Sequence, residues 1–223
     1  MYGKDSPVRR PVKGRPPRFT REQLQTAALA LVDAEGLAGL SMRALAKALG
    51  TGPMTLYGHV ADRADLDVLV AEAVLAQARW PKRAYPDWRE EVAAIATAMW
   101  RAVRAHPHAI PLILTRRSRS PAVVDASEAM LAALARSGRG GRELLVAFRA
   151  VTAFVAGFAQ AELAGPLAVA AGESPADVIA RFAALPADRY PRLVEIARAA
   201  RASDAKREFR EGLAALLEGL AQG

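Results

Sequence analysis

The sequence predicts an all-α protein, an N-terminal three-helix helix-turn-helix domain followed by a larger helical domain. Three observations carry this. Apolar residues recur at i, i+3 and i+4 along most of the 223 residues, and no segment sustains the period-2 alternation of a half-buried strand. Residues 40–66, LSMRALAKALGTGPMTLYGHVADRADL, read as two short helices around one tight turn. Two later segments, 141–164 and 204–221, are more apolar than a small monomeric bundle can cover, so a second copy of the chain is the expected cover and a homodimer the expected state.

Residues 1–18 mix cations with Gly3, Pro7, Pro11, Gly14, Pro16 and Pro17, the composition of a disordered basic arm. Within it Lys13-Gly-Arg-Pro-Pro-Arg18 resembles the AT-hook core that lies extended in a minor groove, although a plain flexible tail has the same composition. A first helix starts at Thr20, where Gln23 completes a capping box, and turns Leu24, Ala28, Leu31 and Val32 inward as far as Gly36. Ser41 caps the second helix, with Leu40 and Leu45 as a hydrophobic staple and Leu45 and Leu49 as its buried stripe. Gly50 supplies the positive φ that ends it. Thr51 is placed to cap a third helix over Gly52 to Val60, with Pro53 in its first turn and Leu56 and Val60 inward. Thr55, Tyr57 and His59 then point elsewhere, as a major-groove reading helix requires.

Asp62 opens a fourth helix running to about Arg79, and Pro81 and Pro86 punctuate a linker. Helical segments follow at 87–105, 107–114, 121–137 and 141–164. After a Gly165-Pro166 break come 175–185, opened by Ser174-Pro175, then 188–201 and 204–221. The domain division is therefore a basic arm at 1–18, a helix-turn-helix domain at 19–65, and a helical domain at 66–223.

Charge bears on the partner. The chain carries a net +8, and residues 1–21 hold seven Lys and Arg against Asp5, a net +6. The excess lies beside the helix pair, where phosphate neutralisation is useful, and the arm has no apolar face for a membrane surface. Double-stranded DNA is the expected partner and a membrane is not. A helical hairpin without DNA remains the plain alternative for residues 40–60. The absence of cysteine excludes disulfides and thiolate chemistry and permits a reducing cytoplasm; no apolar secretory segment follows the N-terminus, so the expected location is cytoplasmic. Ala150–Ala161, the longest uncharged run in the most hydrophobic stretch, falls short of the roughly 18–20 residues that span a bilayer, so this stretch is expected to be a buried core helix.

An enzyme is not expected. The chain has no cysteine, only three histidines, no HExxH, GxSxG or phosphate-binding glycine loop, and no carboxylate spacing suited to two metals. No cofactor or metal is expected. His106 and His108, at i, i+2 around Pro107, are poorly spaced for two ligands on one face and are expected in solvent or in a loop.

Residues 20–66 resemble the DNA-binding domain of TetR-family transcriptional regulators, in the -AEGLAGLSMRALAKALG- segment, the -TLYGHV- recognition helix and the -ADRADL- opening of the next helix. The distal -YPRLVEIARAA- and -FREGLAALLEGLA- segments resemble, more loosely, the C-terminal domain of the tetracycline-repressor branch. The resemblance implies that Arg43 reaches a base or phosphate, that Thr51, Gly52, Pro53, Met54 and Thr55 present the reading tip, that Tyr57 and His59 contact phosphate, and that Arg63 stands where the family usually has a phosphate-binding lysine. Gly58 departs from the larger side chain common in relatives and costs about 1 kcal/mol of helix propensity.

The resemblance further implies a small-molecule effector in the C-terminal domain, with a repressor leaving a palindromic operator when the effector binds. Candidate lining residues are Trp100, Val103, Ile110, Ile113, Phe148, Thr152 and Val155, with Leu112 and Val124, all of which also suit an ordinary core. Glu128 and Thr152 stand out because a polar group on an apolar face needs a partner. The metal-linked histidine of tetracycline binding aligns with Ile113, which points away from tetracycline and toward a mostly apolar effector. A sequence-tolerant architectural DNA-binding protein using the basic arm is the alternative.

Overall fold

The computed structural model describes residues 19–115, 121–164 and 173–222, and among these every regular element is a helix. The basic arm at 1–18 and the Gly165-Pro166 break lie outside the described residues. The elements are α1 (Arg21–Gly39), α2 (Met42–Ala48), α3 (Pro53–Leu56), α4 (Arg63–Leu75), α5 (Trp88–Arg104), a 3₁₀ turn (Pro107–Ala109), α6 (Ile110–Thr115), α7 (Pro121–Ala135), α8 (Gly141–Ala164), α9 (Pro175–Ala183), α10 (Pro191–Ala199), a second 3₁₀ turn (Ala200–Ala202) and α11 (Ala205–Gln222).

Local chemistry sets most of these boundaries. Thr20 and Gln23 form a reciprocal capping box at the start of α1, and Gly36, at φ 69°, breaks its helical conformation. Asp62 caps α4 through the Asp65 N–H, and Asp87 caps α5 through the Arg89 N–H. Ser174 and Asp177 close a second capping box ahead of Pro175.

One apolar core runs from Leu24 in α1 to Leu217 in α11. In the N-terminal half α1 packs on α2, on α4 and on the first 3₁₀ turn. In the C-terminal half α5 is central and touches α7, α8 and α11. The α4 helix spans the expected boundary at 65–66 and carries buried residues from Leu66 to Val74, so both halves share it.

Two expectations change here. The reading helix is expected over Gly52 to Val60, but α3 ends at Leu56 and residues 57–59 continue as a turn. Gly58 favours non-helical backbone at that point. The apolar stretch in α8 is expected to be a buried core helix, yet only 22% of its Gly141–Ala161 window is buried, and Leu145 and Val146 are exposed. By length and composition that window could cross a membrane. One chain has too few neighbouring helices to cover it.

Candidate nucleic-acid interface and ligand cavities

The turn between α2 and α3 is built by backbone chemistry. Ser41 Oγ accepts from the Ala44 N–H at 3.1 Å and fixes the start of α2. At its end the Gly50 N–H donates to Lys47 O and the Thr51 N–H to Ala46 O, at 3.1 and 2.9 Å, with Gly50 at φ +61°. This paired 5→2 and 6→1 pattern is a Schellman motif, which only a residue tolerant of left-handed backbone closes cheaply. Below the turn Leu45, Leu56 and Val60 are buried. The tip of α3 therefore rests on a rigid base.

That tip is bare. Gly52, Pro53 and Met54 are exposed, Met54 by 81%, and Tyr57 beside them by 52%. Thr55 is half-buried, and Arg43 and Lys47 on α2 are exposed. His59 is half-buried and meets the Phe19 ring edge-on at 6.3 Å. Thr51 departs from expectation: Gly52 is the N-cap of α3, and the Thr51 hydroxyl is buried without a hydrogen-bond partner among the described residues. The Schellman bond holds the Thr51 backbone against α2, so its hydroxyl is not presented with the tip.

Arg63 is also placed differently from the expected phosphate ligand. Its Nε donates to Asp67 Oδ1 at 2.9 Å, its Nη2 to Leu37 O at 2.9 Å, and its Nη1 to Leu40 O. The guanidinium thus ties α4 to the last turn of α1 and its C-cap, Leu40. All three acceptors share a planar fork of donors, which a lysine could not serve together.

A second polar seam joins α1 to the rest of the chain. Glu72, 3% exposed in α4, accepts from Arg21 Nη2 at 2.7 Å and from Gln25 Nε2 at 2.8 Å. His106 bridges Asp33 at 2.9 Å and Gln77 Oε1 at 3.1 Å through its two ring nitrogens, while His108 Nδ1 meets Val32 O at 3.1 Å. His106 is therefore clamped rather than placed in solvent; its partners lie 73 and 29 residues away, so nothing local announces them. Among the described residues no three metal-ligating side chains come together.

The residues expected around an effector lie in packed core or on the surface. Trp100 is 2% exposed and stacks on Phe209 with ring centroids 4.5 Å apart, while Phe154 and Phe158 close round Phe209. Val103, Ile110, Leu112 and Val155 are buried in the same cluster, with Ile113 and Phe148 packed against it. The Thr152 hydroxyl is satisfied by Phe148 O at 2.8 Å, one turn back in its own helix. Glu128 and Val124 are exposed on α7. The ring of Phe209, brought in by α11, fills space that α5 and α8 alone would leave open.

The cavities lie elsewhere. One of about 730 Å³ is bounded by the 79–89 linker, α5 and α11. Another of about 650 Å³ is bounded by the end of α4, the same linker and α7. A third, about 260 Å³, is lined by Trp100, Arg101, Arg104, Ala105 and Lys206. Trp100 alone of the expected effector residues borders any of these three.

The comparisons with known proteins agree with this architecture. The family described as tetracyclin repressor-like, C-terminal domain, matches residues 80–223. An HTH-type transcriptional regulator of Saccharopolyspora erythraea is 36% identical over 146 residues, which cover 66% of this chain and 62% of that protein. The HTH-type transcriptional repressor DrrR1 of Streptomyces coeruleorubidus is 33% identical over 156 residues, covering 70% and 58%. The chain thus spans about three fifths of the length of these two relatives. Among solved structures the TetR family protein ActR of Streptomyces coelicolor, in complex with (S)-DNPA, superposes with a TM-score of 0.77 at 28% identity, over 94% of this chain and 100% of that one. An all-helical chain whose exposed turn-helix tip precedes a C-terminal domain matched over residues 80–223 belongs to the tetracycline-repressor-like, or TetR, family.

Proposed function

We propose that this protein is a ligand-responsive, DNA-binding transcriptional regulator, a homodimeric repressor that leaves a palindromic operator when a small, mostly apolar effector binds. The observation that carries the reading is the bare tip of α3 on its Schellman-closed base. A helix end free of folding contacts is what a major groove accepts, and Gly52, Pro53, Met54 and Thr55 would meet base edges there. Arg43, Tyr57 and His59 would hold phosphates, whereas Arg63 would act by positioning, since the end of α1 and Asp67 of α4 already hold its guanidinium. Thr51 would contribute through its backbone only. The printed names of the two relatives, a transcriptional regulator and a transcriptional repressor, support the reading.

Dimerisation rests on α8. Its uncovered apolar face, with α11 beside it, suits a four-helix interface between two copies. Arg149 inside the same window would cost about 2.5–3.5 kcal/mol at a bilayer centre, which favours a protein partner over lipid. Two reading tips on one face of a duplex need half-sites about 34–36 Å apart. Moving the population from 1:99 to 99:1 asks the effector for about 5.5 kcal/mol of differential affinity. ActR, as its structure with (S)-DNPA records, holds a small molecule, which supports an effector role for the C-terminal domain here. A cytoplasmic location follows from this reading.

Selection of bound duplexes from a random pool tests it. A palindromic consensus preferred about 10³-fold over random DNA is the expected outcome. Tyr57→Ala should lower affinity for every sequence, and Thr55→Ala should change the preferred sequence. Binding without sequence preference would instead support the architectural alternative, with the basic arm as its main contact.

A further inference from the structure

We propose that the groove between α5 and α11 is a binding site for a soluble anionic amphiphile, with a carboxylate or sulfonate head and an apolar or aromatic body. The two helices run antiparallel. Arg89 at the start of α5 reaches Glu218 near the end of α11 at 3.4 Å, while Trp100 near the end of α5 stacks on Phe209 near the start of α11. Arg101 and Arg104 are thereby brought beside Lys206 and Arg210, and they share the smaller cavity with Lys206.

Every polar side chain lining that 260 Å³ cavity is a hydrogen-bond donor. Two guanidiniums and an ammonium are joined by an indole whose Nε1–H is buried and has no acceptor among the described residues. Among the described residues no carboxylate pairs with Arg101, Lys206 or Arg210. A site made only of donors is complementary to an anion. From Arg101 and Arg210 the 730 Å³ cavity continues over Ala98, Leu213 and Leu217 to Trp80 and Tyr85. The far end carries both signs: Asp87, Glu90 and Glu218 line it with Arg79, Arg83 and Arg89, and Arg89 holds Asp87 at 2.9 Å and Glu218 at 3.4 Å.

The groove thus has one end lined by donors without an acid, an apolar and aromatic run, and a far end where cations and acids are mixed. It opens on the flank of α11 away from α8, the helix assigned to the proposed dimer. The α8 helix packs on the Gly212 side of α11, where the Phe154 ring lies 3.0 Å from the position of a Cβ, whereas Arg210, Ala214 and Glu218 line the opposite flank.

The test titrates the full chain with 8-anilinonaphthalene-1-sulfonate and with its uncharged analogue N-phenyl-1-naphthylamine, following probe fluorescence. The double variant Arg101→Gln, Lys206→Gln should weaken sulfonate binding about tenfold or more and leave the neutral probe within about twofold. Ala94→Trp, which fills the groove, should weaken both probes about tenfold, and Ala214→Trp on the opposite wall reads the same if the first variant melts early. No saturable sulfonate binding, equal losses of both probes in the charge variant, or indifference to the tryptophan block would each overturn the proposal. The titration needs no DNA, so its failure leaves the regulator reading standing.

Discussion

Where α1 meets α4 and the first 3₁₀ turn, the chain is joined by polar bonds of defined length; where α5 meets α8 and α11, it is joined by a cluster of aromatic rings, stacked, tilted and edge-on. The first seam holds Arg21, Gln25, Asp33, Glu72 and His106 within 2.7–3.1 Å of their partners. The second holds Trp100, Phe154, Phe158 and Phe209 with centroids 4.5–6.2 Å apart. Apolar packing scales with area and tolerates small slides, whereas a hydrogen bond fails within about an ångström of displacement. The core therefore supplies most of the stability, and the polar seam is the part suited to hold one arrangement of the reading head and release another.

Five substitutions or titrations would break or sharpen that contrast. Phe209→Ala should cost about 3–5 kcal/mol in chemical denaturation, because it empties the centre of the ring cluster. A loss below about 1 kcal/mol would mean that the core is not centred there. In the polar seam Arg21→Ala should cost only about 1–2 kcal/mol, since Arg21 is 53% exposed although Glu72 is buried. His106→Ala should cost about 1 kcal/mol globally, yet hydrogen exchange should speed up at the end of α1 and in the 3₁₀ turn before it does in α5. Uniform acceleration across both halves would remove the distinction drawn here.

At the reading head Gly58→Ala should stabilise by up to about 1 kcal/mol and increase protection over residues 53–60. A Cβ there meets only Thr55 O, at 3.8 Å, so space permits it.

The smallest effect concerns the caps of α5 and α9. The Arg89 N–H holds the Asp87 carboxyl below its ordinary value, and the Ser174 hydroxyl and the Ser174 N–H do the same for Asp177. A depressed folded value means stabilisation at neutral pH that is lost as pH falls below 3.8 and through the depressed value. Acid titration by circular dichroism should lose helix in that window in the wild type, and Asp87→Ala or Asp177→Ala should flatten the loss.

What the sequence made legible was local. The Thr20–Gln23 capping box, the Ser41 cap, the Gly50 turn and the 141–164 span of α8 each depend on residues within a few positions, and each stands where the pattern places it. The length of α3 was misjudged because one glycine, Gly58, decides whether the last turn is helical. The i, i+4 pair of Arg63 with Asp67 is local, but its bonds to Leu37 O and Leu40 O and both partners of His106 lie 23 to 73 residues away, and only the folded chain brings them in. The cavities were harder still. Empty volume is what remains after packing, and no residue at 100, 110 or 155 signals that Phe209 will fill the space beside it.

Met54 leans on almost nothing, being 81% open at the apex of a turn closed by main-chain bonds alone. Its identity can change while the scaffold holds. Under the proposed DNA-reading role a lineage carrying this head would drift toward a new target one codon at a time, and a library randomised at position 54 should yield folded clones almost without exception, whatever duplex each prefers.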